Sequence, residues 1–441
     1  MSYTPDRLAS FIPRLQRATR CYVGYSGGLD SHVLLHSLVQ LLGPESLTAI
    51  HVNHQLSPQA DQWQIHCQQV CQSLAVELVV EKVGVEPMGQ GLEDAARRAR
   101  YCVFEEQLDP QSLLLLAHHA DDQAETVLYR LLRGSGPLGL GGIPVSRPLG
   151  AGELLRPLLD FTRFELLAYA EQQGLSWVED ESNEQLTFDR NFIRHRVIPA
   201  LAERWPDYAS RIALSASLCR DNEQLASMLA AQDLIGVYER HERLGWSVSV
   251  DALQHLDSSR QGNLLRHWSA QHHLPRPGRQ VVTALQQELL PAREDADPKV
   301  SWADVQLRRY QRRLYLLPGS DEVDLSLNVV PWDMHTKLVL PDNSRLSVAF
   351  EVGDGLLLPE GAEVEIRYRQ GGERCKPQGR SGSNTLKILF QEYGLEPWLR
   401  HRVPLIYVDG ELAAVADLWV CEGFAASEGQ SGAVIQWSFP E

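Results

Sequence analysis

Residues 21–42 read CYVGYSGGLDSHVLLHSLVQLL, and this stretch decides the fold. A short apolar run, Cys21–Tyr25, leads into Ser26-Gly27-Gly28-Leu29-Asp30-Ser31, after which Val33, Leu34, Leu38 and Leu41 recur at helical spacing. The pattern is strand, tight glycine turn, helix. A helix N-terminus presents free N–H groups and a positive dipole end. Two glycines let the backbone approach an anion closely, and the serines add hydroxyl donors. The turn therefore predicts a phosphate site. It is not the GxxxxGK[ST] loop, because no lysine follows the glycines.

Outward from this unit the same alternation continues. Leu47–Val52, Val76–Val83 and Leu113–Ala117 read as strands, and Leu92, Ala96, Ala99 and Val103 form one helical stripe. Strand–helix alternation predicts an α/β fold, a parallel sheet covered by helices on both faces. Ligands of such sheets bind beyond the carboxyl ends of the strands, so the loops after Tyr25, Val52 and Ala117 are where chemistry is expected. The glycine-rich residues 133–143 read as a long loop, and Leu154–Leu159 with a helix from Phe161 to Gln173 would add one more unit. A helix is expected from about Asn191 to Trp205. The expected domains are 1–215, a mostly helical 216–325 with strand-like text at Val305–Leu317, and a small α+β domain over 335–441 that includes Glu363–Tyr368 and Leu405–Val408.

The chain has 441 residues, enough for several cores, with 41 Lys and Arg against 57 Asp and Glu for a formal charge of −16. A uniformly basic nucleic-acid coat is excluded, but a local basic face is not. No apolar run suits a signal peptide or a membrane span. Seven scattered cysteines without a CxxC pair argue against a disulfide framework, and the expected compartment is the cytoplasm.

Four further groups of residues carry chemistry. Asn53 and His54 end the second strand beside the glycine turn, where they could hold an adenine or another base. His118, Asp121, Asp122 and Glu125 follow the fourth strand at the start of a helix, where acids also suit the dipole. Together with His119 they could bind magnesium, hold a cationic amine or deprotonate it. Arg97 and Arg100 lie three apart on one helix, where either could reach phosphates; a surface ion pair of Arg97 with Glu93 is the competing reading. Arg190, Arg194 and Arg196 form a basic, aromatic-bearing stretch suited to RNA phosphates.

SGGLDS, HVNH, EDAARRARY, AHHADDQAET, RLLRGSGPLGLGG and DRNFIRHRVIP occur in an order that resembles the tRNA(Ile)-lysidine synthetases, members of the PP-loop ATP pyrophosphatase superfamily. The resemblance continues through RQGGERCKPQGRSGSNTLKILFQEYGLEPWLRHRVPLIYVDGEL and is weakest over about 216–320. It implies ATP-dependent adenylation of the wobble cytidine in the CAU-anticodon isoleucine tRNA, followed by attack of L-lysine to give lysidine, AMP and pyrophosphate. ATP and Mg2+ are the implied cosubstrate and metal. Ser26, Gly27, Gly28, Leu29, Asp30 and Ser31 would then cradle phosphate, with Asp30 as the magnesium contact. His118, Asp121 and Asp122 would orient the amine and take its proton, with Arg97 or Arg100 at the phosphates. From Arg367 to Arg402 there are eight Lys or Arg against three Glu, a local excess of +5. Arg374, Lys376, Lys387, Arg400 and Arg402 in this segment would grip tRNA. The alternatives are a PP-loop tRNA thiolation enzyme, against which the missing paired cysteines count, and a noncatalytic tRNA-binding protein with a vestigial ATP site.

Overall fold

The computed structural model describes residues 3–85, 92–179, 181, 189–293, 296–319, 325 and 329–440. The side chain of Glu93, and with it the expected ion pair to Arg97, lies outside the described residues. The chain divides into two compact units, Met1–Leu225 and Ala226–Glu441.

The first unit runs β1 (Cys21–Gly24), α1 (Leu29–Leu42), β2 (Leu47–Asn53), α2 (Ala60–Ser73), β3 (Glu77–Lys82), α3 (Leu92–Gln107), β4 (Leu113–Leu115) and α4 (Ala120–Leu132). It continues through α5 (Pro137–Leu140), the hairpin β5 (Ser146–Leu149) and β6 (Gly152–Leu155), and α6 (Arg163–Gln173). The sheet order is β3-β2-β1-β4-β6-β5, parallel except for the β5–β6 pair. Side chains alternate across a strand, and here both sets are apolar because both faces are covered. Cys21, Val23, Leu113 and Leu115 join Leu34, Leu35 and Leu38 of α1 in one core. Tyr22, Ile50 and Leu114 join Val103 and Phe104 of α3 in the other. β1 is flanked by β2 on one side and by β4 on the other, so the strand order reverses there. The loops leaving β1 and β4 open into that crevice.

Residues 133–143, expected as a long loop, instead carry the short helix α5 and are tied down. Arg130 donates to the carbonyls of Gly139 and Gly142, both at 2.9 Å, and Gln123 bonds Ile143 through both its amide groups. The expected helix near Asn191 begins at Asp189 and reaches Arg204, with a π-helical turn over Ile193–Val197.

The first part of the second unit is helical over much of its length, but it also carries a sheet that extends beyond the strand-like text at Val305–Leu317. The helices Ser258–Gln271 and Arg279–Ala284 pack on a five-stranded antiparallel sheet that includes Arg240–His241, Trp246–Ser249 and Arg313–Pro318. The last of these strands serves two cores. Leu314 and Leu316 point into one with Trp268 and Leu285, whereas Tyr315 and Leu317 point into the other with Trp398 and Leu405. The C-terminal part is β-rich as expected, with strands at Val364–Arg367 and Leu405–Val408 and one eight-residue helix, Leu386–Tyr393. Cys375 and Cys421 are joined there as a disulfide, with Cα atoms 6.1 Å apart. Their separation of 46 residues hides that pairing from the sequence.

Candidate active site

Gly28 caps α1, and the turn before it is closed by its own serines. The hydroxyls of Ser26 and Ser31 lie 3.0 Å apart, and Ser31 donates to the Gly28 carbonyl at 3.0 Å. Gly27 has φ +83°, and a Cβ there would stand 2.9 Å from Cys67 Sγ. Only glycine lets this turn lie so close to α2. Leu29 is buried in the core beneath the turn, so its role is packing.

Asp30 follows in the first turn of α1 and faces His119, whose Nε2 is 3.6 Å from Oδ2. The other carboxylate oxygen, Oδ1, is buried without a hydrogen-bond partner among the described residues. Burial raises the pKa of Asp30 despite the nearby His119. His119 also lies 3.5 Å from both Asp121 and Asp122. Burial opposes its charge, but Asp122, Asp121 and Asp30 outweigh it and lift its pKa to about 9. Nδ1 cannot both donate to Asp121 and accept the Asp122 amide at 3.4 Å; with three carboxylates around the ring, the long amide contact gives way. The imidazolium is thus the electrostatic centre of the cluster.

Asp121 is held by the Arg163 amide at 2.7 Å and by the Tyr208 hydroxyl. Burial alone would raise its pKa, yet these donors and His119 bring it to about 2. Asp122 Oδ2 accepts the His119 amide at 3.1 Å, so Asp122 also caps the helix. Its Oδ1 meets Arg190 at 3.3 Å and Arg194 at 3.4 Å. Glu125, one helical turn on, is bonded by Arg190 Nε at 3.1 Å and by Arg194 at 2.6 and 2.9 Å. Arg190 and Arg194 are therefore turned into the acidic cluster instead of toward an RNA backbone, and Arg196 remains exposed. Residues four apart share one helical face, which is the signal that could have paired them. Among the described residues in direct contact, four carboxyl groups face three cations, a formal excess of one negative charge.

His118 points elsewhere. Its Nδ1 accepts from Arg156 Nε at 3.2 Å, and burial with the neighbouring arginines pushes its pKa down to about 3. The neutral ring then carries its proton on Nε2, so this histidine donates and does not take a proton. Arg156, absent from the sequence reading, is buried and also bonds the Pro144 carbonyl at 2.7 Å.

Asn53 is not available for a base. Both amide hydrogens are used by Asp61 at 3.2 Å and Gln64 at 3.1 Å, and its oxygen accepts the Gln55 amide at 2.9 Å. It ties the end of β2 to α2. His54 does have an unpartnered buried Nδ1, as does His66 at Nε2. Burial, Arg100 and His51 hold His54 neutral with a pKa of about 4. No group of three or more metal-ligating side chains with suitable geometry occurs among the described residues.

In the C-terminal part the basic segment is only partly a surface. Arg402 is buried near the Phe439 ring, and Arg400 bonds the Leu395 carbonyl and the Tyr310 hydroxyl. Both brace the fold: Arg402 is withdrawn from the surface, and Arg400 is half-buried. Lys376 pairs with Glu422 at 2.6 Å, whereas Arg374 and Lys387 are exposed.

Comparison with known proteins shows the families this chain resembles. Residues 4–201 match a PP-loop domain family, 249–315 the TilS substrate binding domain and 364–437 the TilS substrate C-terminal domain. A tRNA(Ile)-lysidine synthase of Coxiella burnetii is 39% identical over 430 residues, covering 96% of this chain and 94% of its own. That of Serratia proteamaculans is 42% identical over 420 residues, covering 94% of each. A solved U34-tRNA thiolase from Methanococcus maripaludis is 18% identical at a TM-score of 0.41, covering 49% of this chain and 78% of its own.

Proposed function

This chain belongs to the tRNA(Ile)-lysidine synthase family, and from that premise we propose how its residues divide the reaction. The substrate is the CAU-anticodon isoleucine tRNA. The carbonyl oxygen on C2 of the wobble cytidine attacks the α-phosphorus of ATP, and pyrophosphate leaves. The ε-amine of L-lysine then attacks C2, the C2–O bond breaks, AMP departs, and the amine proton passes to solvent. The product is lysidine, which reads AUA in place of AUG. The reading implies the cytoplasm, and among the described residues no helix is long and apolar enough to cross a membrane.

The observation that carries this reading is the Asp30–His119 contact, which joins the SGGLDS turn to the carboxylate cluster across the point where the strand order reverses. The turn's N–H groups and hydroxyls hold the polyphosphate. The imidazolium of His119 and the Nε2–H of His118 are fixed donors toward developing negative charge. The cluster's remaining negative charge suits the lysine ammonium, with Asp121, Asp122 and Glu125 orienting it. Arg100, which lies near His54 and His118, is better placed for the nucleotide than Arg97. Magnesium fits Asp30, whose orphaned Oδ1 offers one hard oxygen ligand; the ion usually takes the rest from substrate phosphates and water. It would supply charge neutralisation at the phosphates.

Incubation of the protein with ATP, radiolabelled lysine and bulk tRNA tests the reading. Label in RNA with equimolar AMP is expected. Sulfur incorporation, or ATP turnover without label in RNA, would overturn it.

A further inference from the structure

The arginines of α3 divide between two places. Arg100 lies beside His54 and His118, but Arg97 lies over the Tyr101 ring, 5.2 Å from its centroid. Arg147 of β5 approaches the same ring at 5.1 Å. With Asp94, Arg98 and Glu105 these residues line an open cavity of about 370 Å3. Tyr101 Oη is buried and meets no partner in good hydrogen-bond geometry. Burial would raise its pKa, yet Arg97, Arg156 and Arg147 are close enough to lower it. The cations also burden one another: burial first, and then Arg97 among the neighbouring arginines, lowers the pKa of both Arg130 and Arg156. Among the described residues the lining has three guanidinium groups against two carboxylates, which suits an anion.

We propose that this cavity binds a backbone phosphate of the substrate tRNA beside the modified nucleotide. The ligand class follows from the donors, since planar guanidinium forks and a phenol suit phosphate oxygens. The polymer follows from two features. The cavity is open, so a chain can pass through it, and Arg156, near enough to Tyr101 to act on its charge, donates to His118 of the active site at 3.2 Å. Such contacts fix the register of the RNA without reading its sequence. The inference rests on the tRNA substrate assigned above and adds where that substrate is held.

The test uses the full chain with Arg147→Ala and Arg147→Lys. Equilibrium tRNA binding is measured across salt concentrations without ATP, and KM values for tRNA and ATP are measured during lysidine formation. Arg147→Ala is expected to weaken tRNA binding about tenfold, with the loss in KM for tRNA and not for ATP. The slope of log affinity against log salt should become shallower by ~0.7–0.9. Arg147→Lys keeps the charge without the fork and should fall between the two. Unchanged tRNA affinity and slope in Arg147→Ala overturn the proposal. So does weaker inhibition by inorganic pyrophosphate at unchanged tRNA affinity, which would make the ligand the leaving group. A wild-type protein that binds tRNA but forms no lysidine would overturn the assigned reaction, while the binding slopes still decide the cavity.

Discussion

Asp30 offers two oxygens with different fates: one faces the His119 imidazolium and the other is buried without a partner. Asp30→Ala should therefore cut pyrophosphate release by at least ~100-fold while tRNA binding stays within about twofold, the pattern of a lost transition-state contact. Near-normal release from a folded variant would refute the assignment. His119 makes a separate prediction about pH. Its folded pKa of about 9 lies above the ordinary 6.5, so its contribution to stability is whole below pH 6.5 and gone above about 9. Asp121, held near 2, loses its contribution only as pH falls from about 4 toward 2. Thermal melts of wild type should decline between pH 7 and 9, and those of His119→Gln should stay flatter there. Parallel curves would mean the ring is neutral. At this scale the sequence was readable where residues are neighbours, as in SGGLDS and HHADD. The pairing of Glu125 with Arg190 and Arg194 escaped the sequence because these partners lie 65 and 69 residues away. Asn53 was misread for a related reason: its three partners are set by the packing of α2, which strand-end position does not reveal.

The turn between β1 and α1 depends on Gly27 in two independent ways. Its φ of +83° is strained for any residue with a Cβ, and that Cβ would press on Cys67 Sγ and Val178 Cγ2 at 2.9 and 3.2 Å. Gly27→Ala should cost ~2 kcal/mol or more, lowering the melting temperature of the first unit by ~4–8 °C and raising KM for ATP. A variant with unaltered melting and ATP dependence would show that the turn can relax. Strands and helices of this unit were legible because an apolar sheet covered on both faces leaves continuous runs and helical stripes in the sequence. In the five-stranded sheet of the second unit the strands within 305–318 were legible too, but two others were not. Arg240–His241 and Trp246–Ser249 are short, and Trp246–Ser249 becomes a strand through pairing with Arg313–Pro318, some 66 residues later. The glycines of 133–143 likewise suggested freedom, whereas Arg130 and Gln123, both from α4, hold that segment in place.

A chain with formal charge −16 that must bind RNA has to concentrate its cations, and the segment from Arg367 to Arg402 does so in sequence. In space the excess is smaller. Arg402 is buried, Arg400 is a brace, and Arg380 and Lys376 pair with Glu392 and Glu422. Within this segment Arg374 and Lys387 remain as exposed cations with which it can meet phosphate. These two groups predict opposite phenotypes. Arg374→Ala with Lys387→Ala should leave the melting temperature nearly unchanged and reduce the salt slope of tRNA binding by roughly one to two phosphate contacts. Arg402→Ala should do the reverse, losing the buried stem and ring contact, so that melting falls by several degrees while the salt slope persists. Salt titrations of tRNA affinity beside thermal melts separate them. If Arg402→Ala alone flattens the slope at unchanged stability, that side chain leaves the core to meet RNA, and the C-terminal part changes conformation on binding. If neither set moves the slope, the phosphates are met by other cations, with the exposed Arg196 and the cavity at Tyr101 in the first unit the next to be tested.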